Sequence, residues 1–248
     1  MRSHLPTGLA VLSAMVVAAA AFGGPAEDSE MTRRVSEQLR RSAILGHLGI
    51  DARVHDGRVV LTGHVRTLSQ AWEATDLAAK VRDVVEVESR IDLESRGGSD
   101  AAIGSAVKRS FEDHPEVAAA GLGVSVDAGT VTLTGKVDDA RVRFAAADVA
   151  ARTEGVVAVS DRIETPAKDD AFILKAVTAI LGAGSFVRVS GKIQPTVKDG
   201  VVTLEGRVAR LYDRKRAERL VLGVNGVRGV ENHLEVKPMR PDLVIPLD

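Results

Sequence analysis

The chain has 248 residues, and its 33 Lys and Arg nearly balance its 34 Asp and Glu. It contains no cysteine, which excludes disulfides, thiolate nucleophiles and Cys-ligated zinc. Aromatic residues make up 3% of the chain, too few for an RNA-stacking platform or a carbohydrate-binding cleft.

The first 26 residues predict a secretory signal peptide. Arg2 and His4 precede an uncharged stretch over 5–26, whose apolar centre covers 9–22. Small residues follow that centre, as a signal-peptidase site requires. The alternative is an N-terminal membrane anchor, but the centre is shorter than the roughly 20 residues that a spanning helix needs. We therefore expect a mature protein in the periplasm or outside the cell.

One strand pattern occurs three times, and its internal glycine stands at Gly63, Gly135 and Gly206. The copies are 72 and 71 residues apart, which predicts three copies of one small domain. Within each copy apolar and polar residues alternate, so the apolar ones point to one face of a strand. We expect the internal glycine to mark a bulge or the close approach of a packed helix.

Each copy opens with a predicted helix, for which we expect Asp28, Asp100 and Asp170 to be the N-caps. A first strand follows and turns at Asp-Gly or Asp-Ala-Gly into the repeated strand, a strong hairpin signal. The turn is expected to place Val54 opposite Val59, so that the apolar residues of both strands share one face.

A second helix comes next, with apolar residues at i, i+3, i+4 and i+7. Gly155 and Gly226 are expected to end two of these helices as C′ residues, and a closing strand completes each copy. The predicted fold class is α+β, with three tandem α-β-β-α-β modules, each a three-stranded sheet with two helices on one face. Module one covers 28–95, module two 100–165 and module three 169–238, and an extended proline-containing tail follows at 239–248.

In this order the features resemble the BON domain (bacterial OsmY and nodulation). The shared pattern is an acidic N-cap, an Asp-Gly or Ala-Gly turn, Val-x-Leu-x-Gly-x-Val, a helix, then Gly-Val-x-x-Val and an Asn before the last apolar residue. Module three matches best, at 226–234, whereas module two has Asp161 in place of Asn232. Module one departs at Asp83 and Ser89, so its helix end is expected to differ. The resemblance implies a periplasmic or secreted, non-enzymatic protein that binds phospholipid or another envelope component and serves envelope integrity under stress.

We predict no catalytic residue, metal or cofactor. His55 and His64 lie at opposite ends of one strand, roughly 20–30 Å apart at about 3.3 Å per residue. The paired aspartates at 138–139 and 169–170 fall at helix starts, where capping explains them.

The second helix of module three carries a basic face. Tyr212, Lys215 and Arg219 are expected to project away from their own core, with Arg216 beside them. Cations with an amphipathic aromatic suit an anionic phospholipid surface, and a solvated charged face is the alternative. Nucleic acid attracts the same charges, but a secreted location and a net charge near zero argue against it.

Modules one and two carry outward apolar residues instead. Trp72 and Phe144 occupy the position of Lys215, and Leu68 lies one turn before Trp72. Such residues mark interfaces, which are either contacts between modules or sites for membrane or protein. We expect a peripheral rather than integral membrane protein that binds anionic phospholipid. A protein-interaction or chaperone-like role on envelope proteins is the alternative.

Overall fold

The computed structural model describes residues 24–94, 98–182 and 192–237. The signal-peptide prediction falls mainly on residues 1–23, which lie outside these ranges, as does the predicted tail at 239–248. Pro25 and Ala26, which the prediction assigned to the signal peptide, form the first turn of the first helix.

The three modules repeat one order of elements. Module one consists of α1 (Pro25–Arg40), β1 (Asp51–His55), β2 (Arg58–Val65), α2 (Leu68–Ala79) and β3 (Glu86–Leu93). Module two consists of α3 (Asp100–Glu112), α4 (Pro115–Ala118), β4 (Gly123–Asp127), β5 (Thr130–Lys136), α5 (Ala140–Ala151) and β6 (Ala158–Glu164). Module three consists of α6 (Asp170–Gly182), β7 (Gln194–Lys198), β8 (Val201–Val208), α7 (Leu211–Leu222) and β9 (Gly229–Val236). The α-β-β-α-β order and the α+β class are confirmed, with the short helix α4 as an addition in module two.

Each module has its own three-stranded sheet, and the repeated strand is the middle one. The middle strand runs antiparallel to the first strand and parallel to the closing strand, which the second helix allows by crossing over the sheet. Val54 pairs with Val59, as the hairpin predicts. Leu61, Leu133 and Leu204 of the middle strands are completely buried, which places each core between its sheet and its helices.

The glycine inside the middle strand makes room for the chain that enters the first strand. A Cβ on Gly206 would lie 2.5 Å from the carbonyl oxygen of Lys192, and one on Gly63 would lie 2.9 Å from that of Gly49. Pairing with the closing strand continues through both glycines. The expectation of a bulge or a packed helix is therefore wrong, because the close neighbour is backbone of the preceding loop.

The aspartates at the start of the first helices bind the hairpin turn. Asp170 accepts hydrogen bonds from the backbone N–H groups of Asp199 and Gly200, both at 2.9 Å. Asp100 makes the equivalent pair in module two. In module one Asp28 accepts from the first turn residue alone, at 3.3 Å. These carboxylates therefore tie each first helix to its hairpin.

The predicted N-caps are consequently wrong. Helix α3 is capped by Ser99, whose hydroxyl accepts from a backbone N–H of the first turn. Asp169 plays this part for α6, because its carboxylate accepts from the N–H of Phe172 at 2.6 Å. Helix α1 begins after Gly24, so Asp28 lies a full turn inside it.

The motif glycines lie beyond the second helices rather than at their ends. Helix α5 ends at Ala151 and α7 at Leu222, whereas Gly155 and Gly226 follow in a turn with φ of 87° and 91°. Asp83 adopts the same left-handed conformation in module one, with φ of 70°. Aspartate tolerates this region, so module one keeps the turn and the expected difference is not present.

Candidate functional site

The second helices of the three modules meet in a closed ring. Leu68, the first residue of α2, packs on the core of module two, and Leu211, the first residue of α7, packs on the core of module one. Ala140, the first residue of α5, donates its backbone N–H to the Asn225 side-chain oxygen of module three at 2.7 Å. One sequence position thus contacts the next module each time, which gives the chain a pseudo-threefold arrangement.

The basic face of α7 meets an acid of module one. Arg219 Nη1 lies 2.6 Å from Asp76 Oδ2, and Lys215 Nζ lies 3.5 Å from Asp76 Oδ1. The Asp76 side chain is only 16% exposed. Arg210 adds a hydrogen bond from its guanidinium to the carbonyl oxygen of Lys80, at 3.1 Å. Residues that point away from their own core therefore reach a neighbouring module.

Tyr212 lies within the same contact between modules one and three. It packs against the core of module one. Lys80 Nζ is 4.8 Å from the centre of its ring and the Arg219 guanidinium carbon 5.8 Å, both within cation–π range. Arg216, the fourth predicted residue of this face, is half-buried.

The apolar residues predicted on modules one and two divide into two groups. Leu68 contacts module two, and Phe144 is half-buried, with a ring carbon 3.8 Å from where a Cβ on Gly223 would lie. Both take part in contacts between modules, the first explanation offered for them. Trp72 is 43% exposed, so it remains accessible to an external partner.

Helix α6 presents an apolar surface that the sequence analysis missed. Phe172 is 49% exposed and Leu174 38%, and because they are two positions apart on a helix they lie on opposite sides of the buried Ile173. Lys168 Nζ lies 5.6 Å from the centre of the Phe172 ring. A helix that is apolar around most of its circumference is normally covered by protein or lipid. The sequence contains the signal, because the 13 residues of α6 include only three polar side chains, Asp170, Lys175 and Thr178.

The other two first helices differ at the corresponding positions. Helix α1 carries Glu30 and Thr32 where α6 has Phe172 and Leu174, and α3 has small residues there. The apolar surface is therefore a property of module three and not of the repeated fold.

Comparisons with known proteins agree with this architecture. The family model of the BON domain matches residues 27–95, 99–167 and 169–238. The chain belongs to the BON-domain family. It is 30% identical over 188 residues to the osmotically-inducible protein Y of Escherichia coli (strain K12), which covers 72% of this chain and 93% of that protein. It is 31% identical over 140 residues to the 21 kDa hemolysin of Actinobacillus pleuropneumoniae, which covers 54% of this chain and 72% of that protein.

Among solved structures, the C-terminal domain of CdsD, a structural protein of the type III secretion system of Chlamydia trachomatis, aligns with 15% identity and a TM-score of 0.23. The alignment covers 84% of this chain and 98% of that one. The resemblance predicted from the motifs is confirmed by the family match and by the first sequence relative.

The asparagine of the BON pattern joins the closing strand to the second helix. Asn232 Nδ2 donates to the carbonyl oxygen of Arg214 and to Glu218 Oε2, each at 3.0 Å. In module two Asp161 accepts from the Arg143 guanidinium at 2.9 Å and makes an equivalent link. The motif residue is thus structural.

One member of each carboxylate pair caps a helix, as predicted. Asp139 accepts from the backbone N–H of Arg141 at the start of α5. The side chain and backbone N–H of Arg141 hold the pKa of Asp139 below its ordinary value. Asp169 caps α6. One aspartate of each pair, Asp139 or Asp169, therefore caps the helix that follows it.

One group of metal-ligand side chains lies in the first BON domain. Ligand atoms of Asp28, His55 and Asp56 lie within 4.8 Å of one another. His55 is largely exposed and forms ion pairs with both carboxylates when its ring is protonated. Spacing along the strand relates His55 to His64 and gives no sign of Asp28, which the fold brings to His55 from α1. The position of Asp28 is explained by the turn contact that all three BON domains share.

No helix in the described ranges is both long enough and apolar enough to cross a bilayer.

Proposed function

We propose that this BON-domain protein is a non-enzymatic protein of the periplasm or cell exterior that binds anionic phospholipid peripherally through module three. The observation that carries the proposal is the exposure of two large apolar side chains of α6, Phe172 and Leu174, one on each side of its buried face. The signal-peptide pattern supports the location, and the similarity to an osmotically-inducible protein supports an envelope role under stress.

The chemistry of α6 suits the boundary between headgroups and acyl chains. Phe172 and Leu174 supply the apolar contact that amphipathic helices bury at this depth. Lys168 and Lys175 are exposed beside them, and each cation near an anionic surface contributes about 1 kcal/mol. The two neighbouring carboxylates accept hydrogen bonds within the module. Asp169 caps the helix, and Asp170 binds the hairpin turn. The small apolar area predicts reversible, salt-sensitive attachment.

The sequence predicted the lipid contact on a face of α7, and the structure makes that face a weaker candidate than α6. The predicted residues are Tyr212, Lys215, Arg216 and Arg219. Lys215 and Arg219 are paired with Asp76, so their charge is partly neutralised within the chain. Within the described ranges, the main contacts of α6 are with β7 and α7 of its own module.

Co-sedimentation with vesicles tests the proposal. The wild type is mixed with phosphatidylglycerol–phosphatidylcholine vesicles and with phosphatidylcholine vesicles, at low and high salt. Binding is expected to the anionic vesicles alone and to weaken at high salt. Phe172→Ser with Leu174→Ser should abolish it. The matched control is Ile44→Ser with Val157→Ser, which removes two similarly exposed apolar side chains from modules one and two. Equal binding by both double variants contradicts a site on α6.

A second candidate function is binding to an envelope protein, and the exposure of Trp72 favours it. Trp72 is the sole tryptophan, so its emission reports on its own surroundings. If α6 is the lipid contact, anionic vesicles should leave the emission maximum unchanged. A blue shift on vesicles would instead place α2 in the bilayer.

A further inference from the structure

Asp76 of module one forms ion pairs with two cations of module three. Its two carboxylate oxygens face different partners, Lys215 at 3.5 Å and Arg219 at 2.6 Å. It is the most buried member of the group, while both cations remain accessible to solvent at their outer sides. The carboxylate therefore lies on the inner side of an accessible pair of cations.

Corresponding positions in the other modules show that this contact is particular to modules one and three. Asp148 occupies the position of Asp76 in module two and pairs within its own helix, with Arg152 at 2.6 Å. In module three the same position is Arg219, so the sign of the charge is reversed. The reversal makes the contact between α2 and α7 attractive.

A carboxylate shared by an ammonium and a guanidinium occupies the place that two oxygens of a phosphate group would take. Ion pairs that are partly exposed are weak, and salt screens them further. A surface dense in phosphate groups can therefore compete with one carboxylate for these cations.

We infer that Asp76 is an intramolecular competitor that restrains a second lipid contact on α7. With Asp76 in place, the Lys215–Arg219 pair is neutralised and attachment depends on α6. When the carboxylate is displaced or removed, the pair becomes available to anionic headgroups. The inference rests on the proposed function for the identity of the ligand, and it adds the means by which binding is limited.

Asp76→Asn tests this inference, because it removes the charge and leaves the shape of the side chain. The variant should bind phosphatidylglycerol–phosphatidylcholine vesicles at least threefold more tightly than the wild type. The gain should disappear at high salt and be absent on phosphatidylcholine vesicles. Asp148→Asn is the matched control, since it makes the same change in net charge at the corresponding position and should produce no gain. Equal gains from both variants, or no gain from Asp76→Asn, overturn the inference.

A second set of substitutions tests whether the gain in vesicle affinity comes from Lys215 and Arg219. In the Asp76→Asn background, Lys215→Gln with Arg219→Gln should restore wild-type affinity, and a gain that persists contradicts the inference. Small-angle scattering of Asp76→Asn should give the wild-type radius, and an expanded chain would instead attribute the gain to separated modules. If the wild type binds anionic vesicles and Asp76→Asn binds equally, the inference fails alone. If only Asp76→Asn binds, the α6 proposal fails and the inference stands.

Discussion

Arg219 Nη1 and Asp76 Oδ2 lie 2.6 Å apart, although 143 residues separate them in the chain. The contact joins the first and third modules and closes the ring of second helices. Because the pair is partly exposed, its strength should be that of a surface ion pair and not of a buried one.

A double-mutant cycle measures that strength. Asp76→Asn, Arg219→Gln and the double variant should give a coupling free energy of about 0.5–1 kcal/mol by urea unfolding at low salt. The coupling should shrink at high salt because the charges are screened. Coupling of zero at low salt would show that the two side chains do not meet in solution.

Leu211→Ala removes an apolar side chain that lies between modules. Leu211 is buried on the core of module one, so the substitution should cost about 2 kcal/mol of unfolding free energy. It should also increase the radius of gyration, since the contact links two modules. Leu204→Ala, deep in the core of module three, is the control. It should destabilise module three at least as much without expanding the folded chain. Equal radii for Leu211→Ala and the wild type would contradict the closed ring.

Asp170→Ala removes the link between α6 and its hairpin turn. Loss of two hydrogen bonds to a carboxylate should lower the unfolding free energy by about 2 kcal/mol. Asp169→Ala removes the helix cap and should cost about 1 kcal/mol. If Asp169→Ala is the more damaging of the two, capping rather than turn binding is the main role of this acidic pair.

Gly206→Ala should be strongly destabilising. The new Cβ would lie 2.5 Å from the Lys192 carbonyl oxygen, and φ of 133° is unfavourable for alanine. We expect a loss of more than about 2 kcal/mol, measured by thermal unfolding. Gly182→Ala, at the last residue of α6, is the control, since a Cβ there meets no atom of the described residues within 4 Å. It should be neutral or stabilising by up to about 1 kcal/mol. A neutral Gly206→Ala would show that the loop does not approach the strand.

Glu30 on α1 is expected to stay ionised far into the acid range. A side-chain hydrogen bond from Arg33, followed by one from Arg34, lowers its pKa from 4.5 to about 2. The folded state therefore favours the carboxylate, and its contribution to stability is present above pH 4.5 and lost as the pH falls toward 2. The effect on stability should be small because the pair is exposed. NMR titration of the Glu30 side chain checks the value, with Arg33→Gln as the variant that raises it. A midpoint near 4 in the wild type contradicts the paired geometry.

The local sequence pattern predicted the fold of each module correctly, but it did not predict the roles of single polar residues. Alternating apolar residues predicted that Val54 faces Val59, because the side of a strand on which a residue lies depends only on its position in that strand. The sequence predicted Asp170 as an N-cap, and this prediction was wrong. An acid near a helix start gives the same sequence pattern whether it caps the helix or binds a turn. The partners of Asp170, which are Asp199 and Gly200, lie 29 and 30 residues further along.

By itself the sequence determined the BON family, the number of modules and the core of each one. Periodicity specifies which side of a helix or strand faces its own core, since neighbours a few residues apart set that choice. Tertiary structure alone decided where the outward residues lie. Lys215 meets Asp76 and Leu68 meets module two, whereas Phe172 meets solvent. The reason is that the placement of one module against another depends on a few contacts between distant residues, and no local pattern records them.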